Sequence, residues 1–318
     1  MFVTFAMHVR PYNPPALAAL LEKNLTGEVR LQEPLASQTS FRIGGPADLL
    51  VFPACAADVR RAVEIALEHQ VPWTVLGNGS NVLVLDGGIR GMVLRLNRRL
   101  GRLTFEGNQV TVEAGASLPG LGRQAAQRGL SGLEFTAGVP GTVGGSLHTN
   151  AGCFGQEMGE VVESVTVLEA DATWHCLSRE QLDFRYRHSA LQDRPAIAVA
   201  AVLALRPADT DQVEKRYQQV LASKRRSQPL GAASAGCIFR NPPGDFAGRL
   251  IEAAGCKGWR CGGAEVSEQH ANFIINTGQA RAADVVTLIQ RVRERVAACS
   301  GIWLELEIEM MGEPGEVG

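Results

Sequence analysis

The sequence predicts an α+β chain of two or three domains, and three observations carry that prediction. Its 318 residues exceed the usual size of one domain, so a shared interface and a cleft are expected. Strand-like apolar runs dominate the first two thirds, with segments of helical period between them. Glycine, at 35 residues, stands well above the average of about 7% and shows no collagen-like period. The excess therefore belongs to loops whose backbone needs special geometry.

Each element follows from local pattern. Residues 41–52 (FRIGGPADLLVF) read as strand, turn and strand around Gly-Gly-Pro, and residues 59–67 then repeat at helical spacing. Trp73–Leu76 and residues 92–96 read as strands flanking the loop Gly77-Asn78-Gly79-Ser80-Asn81, and residues 110–114 form another strand running into Gly115. From 132 to 155 the glycines and small polar residues are too dense for a regular element to persist. A long irregular segment in mid-chain usually has a function. Strand character returns at 165–168 and 197–205, and the polar stretch 207–211 marks a domain boundary. Beyond it Val213, Tyr217, Val220 and Leu221 share one face of a helix that ends in Lys224-Arg225-Arg226. Val285, Leu288, Ile289, Val292 and Val296 trace a second amphipathic helix, with Gly301 where a stop belongs. The last strand, 302–311, is expected to put Leu304, Leu306, Ile308 and Met310 on one face and Glu305, Glu307 and Glu309 on the other.

Composition excludes several classes. With 31 basic against 33 acidic residues there is no basic excess for electrostatic binding of nucleic acid. The seven cysteines are odd in number and scattered without a C-x-x-C pair, against both a disulfide framework and a structural zinc; no metal is expected. The opening MFVTFAMHVRPYNPP is too short in apolar residues for a signal peptide, and no stretch of about twenty apolar residues follows, so no membrane insertion is expected. A reduced, cytoplasmic, soluble protein is the expectation, and a monomer.

Two loops have the composition of phosphate cradles. Gly77-Asn78-Gly79-Ser80-Asn81 follows a strand, and glycines there let successive N–H groups approach a phosphate. It is neither a Walker loop nor a Rossmann fingerprint. The run Gly138-Val139-Pro140-Gly141-Thr142-Val143-Gly144-Gly145 is a second such loop, and the pair suits a ligand with two phosphates, such as a dinucleotide. Spacing alone does not separate phosphate binding from tight packing.

Seven separated motifs occur in one order: FRIGGPADLLV, VLGNGSNVLV, GLEFTAGVPGTVGGSLHTNAG, FRYRHS, SAGCIFRNP, LIEAAGCKGWRCGGAEVSEQHANFIIN and LELEIEMMG. In this the chain resembles the UDP-N-acetylenolpyruvoylglucosamine reductases, the MurB family, from about residue 38 to 312. The resemblance implies a two-part FAD-binding domain of the vanillyl-alcohol-oxidase (PCMH) type at 36–207, with subdomains at about 36–97 and 98–207. It implies an α+β substrate-binding domain at 208–318, after an N-terminal extension and helix at 1–35. The implied activity is NADPH-dependent, FAD-mediated reduction of UDP-N-acetylglucosamine enolpyruvate to UDP-N-acetylmuramate, a peptidoglycan precursor.

By the same resemblance, non-covalent FAD would be held by Gly77, Asn78, Gly79, Ser80 and Asn81 and by Gly138, Val139, Pro140, Gly141, Thr142, Gly144 and Gly145. Arg42, Gly44, Gly45, Asn150, Ala151 and Gly152 would lie close by. Arg187, Cys237 and Glu307 correspond to the family's catalytic set, and Tyr186, Arg187 and Asn241 to substrate-binding positions. Many members carry serine where this chain has Cys237, and some carry a tyrosine-bearing lid for which the stretch from Leu205 to Val213 is too short. The chain therefore resembles the subtype lacking the lid. The competing classes are another flavin oxidase or dehydrogenase of the superfamily, and a non-catalytic nucleotide-sugar-binding relative; against them stand the C-terminal motifs and the retained trio.

Overall fold

A computed structural model describes residues 11–315, which fall into two compact units. The signal-peptide reading of the first residues concerns a segment that lies mostly outside them.

The first unit comprises the chain up to Glu33, Asp48–Asn78 and Gly91–Ser223. Helix α1, Pro14–Asn24, starts behind Asn13, whose side-chain oxygen accepts the Ala16 N–H at 3.2 Å, and proline occupies its first turn. Helix α2, Ala56–Glu68, buries Val59, Ala62, Val63 and Ala66. This stripe packs on Leu49 and Val51 of strand Pro46–Phe52, on Trp73 and on Met92. Burying each such large apolar side chain contributes about 1.5–3 kcal/mol relative to exposure. The sheet beneath runs in the order Glu28–Pro34, Pro46–Phe52, Ile89–Arg95, Trp73–Leu76, the last two strands parallel.

A second, antiparallel sheet runs Trp174–Ser178, Val162–Glu169, Ala196–Ala204, Gln109–Glu113, Leu103–Glu106. It carries its own core of Val110, Val112, Val165, Val167, Ala201 and Leu203, with helix α3, Leu118–Ala126, packed against it. Within the glycine-dense stretch one short α-helix does form, α4, Val143–His148. Thr142 initiates it by accepting the Gly145 N–H at 3.4 Å. Local capping thus wins a turn and a half from a sequence whose helix propensity is low. Helix α5, Thr210–Ser227, begins within the polar 207–211 stretch and buries Val213 and Tyr217 beside Ala126 and Ala137.

The second unit takes in Pro34–Ala47, Gly79–Arg90 and the chain from Lys224 onward. Its sheet runs Ala233–Cys237, Phe273–Asn276, Ala264–Val266, Arg260–Cys261, all antiparallel. Helices α6, Ala247–Ala253, and α7, Ala282–Ser300, cover it; Val285, Leu288, Ile289, Val292 and Val296 are buried as the periodicity predicts. Gly301 ends α7 in the left-handed region at φ 72°. Asp86 accepts the N–H groups of Ala282 and Ala283 at 2.8 and 3.0 Å, satisfying the helix's first donors.

Two differences from the expected elements bear on the site. Residues 41–43 are not a strand: Arg42 at φ 56° and Gly44 at φ 143° leave the extended region, and Phe41 and Ile43 are buried in the second unit's core with Leu83. Segments 34–47 and 79–90, expected in the FAD-binding region, therefore pack with the C-terminal residues. Nor is 302–311 one continuous strand. Leu306 makes an antiparallel bridge to Phe239, whereas Glu309–Met311 pairs parallel with Val82–Val84. The chain must bend between two partners of opposite direction, and the alternation breaks there: Met310 is exposed and Met311 buried. Glu307 sits at that bend.

Candidate functional site

In the first unit the two glycine loops converge. A cleft is lined by Val75 of the strand Trp73–Leu76, by Gly77 from the first loop, by Thr142, Gly144 and Gly145 from the second, and by His148 at the end of α4. The second loop is pinned from behind: the Val143 N–H donates to the Ala116 carbonyl at 2.9 Å and the Gly144 N–H to the Ala114 carbonyl at 2.8 Å. Glycine is required there, because a Cβ on Gly144 would lie 2.9 Å from the Ala114 Cβ. Gly145 has nothing nearer than the Thr142 hydroxyl at 3.7 Å, so its backbone edge stays open to the cleft. Burial pushes the His148 imidazole down to about 3, and the ring is neutral at physiological pH.

Arg187 lies in a tight turn, where Arg185 and His188 exchange backbone hydrogen bonds at 3.0 and 2.9 Å. It holds φ 54°, strained for a residue with a side chain, and surrounding bonds maintain that conformation. The Gln192 amide donates to the carbonyls of both Arg187 and His148, at 3.1 and 2.8 Å, and the Ser189 hydroxyl also donates to His148 O at 2.9 Å. Fully buried Asn150 uses both side-chain atoms inside the fold: Nδ2 donates to Arg185 O at 2.9 Å and Oδ1 accepts the Gly159 N–H at 2.9 Å. Asn150, with the Ala151–Ser146 backbone bond behind it, thus ties the Arg187 turn to the end of α4. Gly152 opens a small hairpin with Gln156–Glu157. Tyr186 is half-exposed, with the Arg187 guanidinium 5.2 Å from its ring centroid.

The second unit gathers Cys237, Glu307 and the end of the first loop. The Glu307 N–H donates to Ile238 O at 2.8 Å and the Arg240 N–H to Glu305 O at 2.9 Å, setting Glu307 beside the strand that carries Cys237. Asn81 completes the group: its amide donates to Glu307 O at 3.1 Å, and its own carbonyl accepts the Glu309 N–H at 3.0 Å. A β-bulge aims Cys237. Ser234 pairs with Ile275 but Cys237 with Phe273, so this strand holds one extra residue, and Gly236 at φ 78° accommodates it. A regular strand with Ala235 inside would also bury Cys237; the bulge puts Ile238 in the core instead and leaves the thiol half-buried. Ser40, for which the sequence holds no signal, joins the loops by donating from its hydroxyl to Ser234 O at 2.7 Å and from its N–H to Gly79 O at 3.1 Å.

Arg42, Gly44 and Gly45 also lie in this unit. Asn276 donates to Phe41 O at 3.1 Å and Arg42 O at 3.4 Å, and a Cβ on Gly45 would strike Asp86 O at 2.2 Å. Asn241 starts α6, its side-chain oxygen accepting the Ala247 N–H at 3.0 Å. The expected residues are thus divided: Arg187, Tyr186, Gly77, Asn78, Asn150, Ala151, Gly152 and the 138–145 loop belong to the first unit, Cys237, Glu307, Asn241, Gly79, Ser80, Asn81 and Arg42–Gly45 to the second.

A family described as FAD binding domain matches residues 47–178, and one described as UDP-N-acetylenolpyruvoylglucosamine reductase, C-terminal domain, matches 228–311. The UDP-N-acetylenolpyruvoylglucosamine reductase of Moorella thermoacetica is 48% identical over 298 residues, covering 94% of this chain and 98% of that protein. The chain belongs to the UDP-N-acetylenolpyruvoylglucosamine reductase family. The Bacillus subtilis reductase is 43% identical over 293 residues, covering 92% of this chain and 97% of that one. Among solved structures, the reductase of Thermus caldophilus superposes with a TM-score of 0.79 at 40% identity, covering 91% of this chain and all of that one. In a family with an FAD-binding domain, the glycines of the first-unit cleft have a use: Gly145 leaves its edge open to a ligand, while Gly77 and Gly144 let the loops pack closely, Gly77 against Thr142 and Gly144 against Ala114.

That close packing behind the cleft is testable. Gly144→Val would force the 138–145 loop away from Ala114, and the purified variant is expected to carry well below one flavin per chain by its visible absorbance. Full flavin content would dissociate the cleft from cofactor binding.

Proposed function

We propose that this chain reduces the enolpyruvyl group of UDP-N-acetylenolpyruvoylglucosamine with NADPH, giving UDP-N-acetylmuramate for peptidoglycan synthesis, and that Cys237 supplies the proton. The observation that carries the reading is the pairing of the bulged Cys237 strand with Glu307 beside Asn81. Bound FAD supplies a two-electron relay from NADPH to the enolpyruvyl double bond; residues 77–81 and 138–145 would hold it without a covalent link.

Addition of hydride to one carbon of that double bond drives negative charge toward the substrate carboxylate. Arg187, permanently charged and fork-shaped, suits that carboxylate and stabilises the growing charge. Cys237 then gives its S–H proton to the adjacent carbon and is left as thiolate, to be reprotonated from solvent. Glu307, protonated or sharing a proton, would help polarise the substrate carboxylate, since a bare carboxylate would repel it. Tyr186, beside Arg187, and Asn241, whose side chain caps α6, would bind the substrate. Residues 36–207 would hold the cofactor and 208–318 the sugar nucleotide, although segments 34–47 and 79–90 pack with the C-terminal residues. NADPH as reductant and seven cysteines without a disulfide fit a reaction in the cytoplasm, and we infer a monomer. Among the described residues no helix is long and apolar enough to cross a membrane.

The test is anaerobic. NADPH should bleach the flavin of the purified protein, and the enolpyruvyl sugar nucleotide should restore its colour; a reduced flavin that this nucleotide leaves bleached would refute the reading. Acid precipitation should leave the yellow colour in the supernatant. Flavin retained in the pellet would mean a covalent bond, with His148, in the cleft wall, the first residue to map.

A further inference from the structure

The bulge that turns Cys237 outward leaves a gap in the ladder. Ala233–Cys237 and Phe273–Asn276 pair in register only as far as Cys237 and Phe273, yet the next two residues, Ile238 and Phe239, are almost completely buried. Buried backbone groups must find partners. On one edge Ile238 O accepts from Glu307 N–H. On the other edge a single residue serves: Asn272 accepts the Ile238 N–H on its main-chain carbonyl at 2.8 Å, and its side chain bonds both groups of Phe239. The Phe239 N–H donates to Asn272 Oδ1 at 2.9 Å, and Asn272 Nδ2 donates to Phe239 O at 2.8 Å. Asn272 is 3% exposed, so water cannot substitute for it. Its amide thus replaces the strand residue that the bulge has moved out of reach.

We propose that Asn272 is a positioning residue for Cys237. It holds the segment immediately after the thiol against Glu305 and Glu307, and so keeps the bulge from relaxing into a regular strand that would turn Cys237 into the core. The inference rests on Cys237 as proton donor. A side chain with only acceptors cannot make both bonds, and an apolar one makes neither. Loss of the clamp is therefore expected to act through proton delivery, where a displacement of about 1 Å at a reacting group can cost about a hundredfold.

The experiment compares Asn272→Ala, Cys237→Ala and the double variant as holoenzymes by stopped flow, and follows iodoacetamide alkylation of Cys237 by mass spectrometry. In Asn272→Ala, flavin reduction by NADPH should stay within about twofold while reoxidation by the substrate slows about ten- to a hundredfold. In the Cys237→Ala background the same substitution should add less than about twofold, because the group it positions is already absent. Equal slowing in both backgrounds, or of both half-reactions, would make Asn272 a general packing residue and overturn the proposal. If Cys237→Ala alone reoxidises normally, the proton-donor reading fails; a changed alkylation rate at Cys237 in Asn272→Ala then still supports positioning, and an unchanged rate overturns it. Should the alanine variant not fold, Asn272→Asp keeps the acceptor for the Phe239 N–H, loses the donor to Phe239 O, and is held to the same outcomes.

Discussion

Replacing Cys237 by alanine is expected to slow the oxidative half-reaction by about 10²- to 10⁴-fold, the loss typical of a positioned general acid. Reduction of the flavin by NADPH needs no proton from this side chain and should be nearly unchanged. Cys237→Ser should recover much of the loss, because a hydroxyl on the same bulged backbone keeps a donor in the same place; Gly236 and the Phe273 pairing are untouched by the exchange. Stopped-flow measurement of the two half-reactions decides the matter. Unimpaired reoxidation in the alanine variant would transfer the proton to another group, and equal slowing of both halves would reduce Cys237 to packing.

Arg187→Lys is expected to lower turnover by about 10²-fold while substrate binding weakens by no more than about tenfold. A point charge replaces a bidentate fork at a carboxylate whose negative charge grows in the transition state, so the lost interaction is stronger there than in the ground state. Lysine at φ 54° bears the same backbone strain as arginine, and the Gln192 bond goes to the main-chain carbonyl, so the turn itself should survive. Separate determination of kcat and KM checks this: a rise in KM with normal kcat would assign Arg187 to ground-state binding, and normal values of both would remove it from the mechanism.

Local pattern carried far for regular elements. Helix α7 with its Gly301 stop and helix α5 with its basic end fall where periodicity puts them, since each buries one face and so repeats its apolar residues at 3.6, while strands Trp73–Leu76 and Ala196–Ala204 fall on short apolar runs. The same reasoning fails at 41–43, where backbone geometry at Arg42 and Gly44 overrides an apolar alternation. It fails again at 302–311, where two partners of opposite direction bend the chain.

The sequence by itself determined the α+β class, the two glycine loops, and, through seven ordered motifs, the family. Those are properties of local composition and of order along the chain. Only the tertiary structure decided that segments 34–47 and 79–90 pack with the C-terminal unit, that Glu307 sits at a bend tied to Asn81, and that a bulge clamped by Asn272 turns Cys237 out of the core. These rest on hydrogen bonds between residues more than thirty positions apart, and a backbone group carries no mark in the sequence of which distant partner will satisfy it.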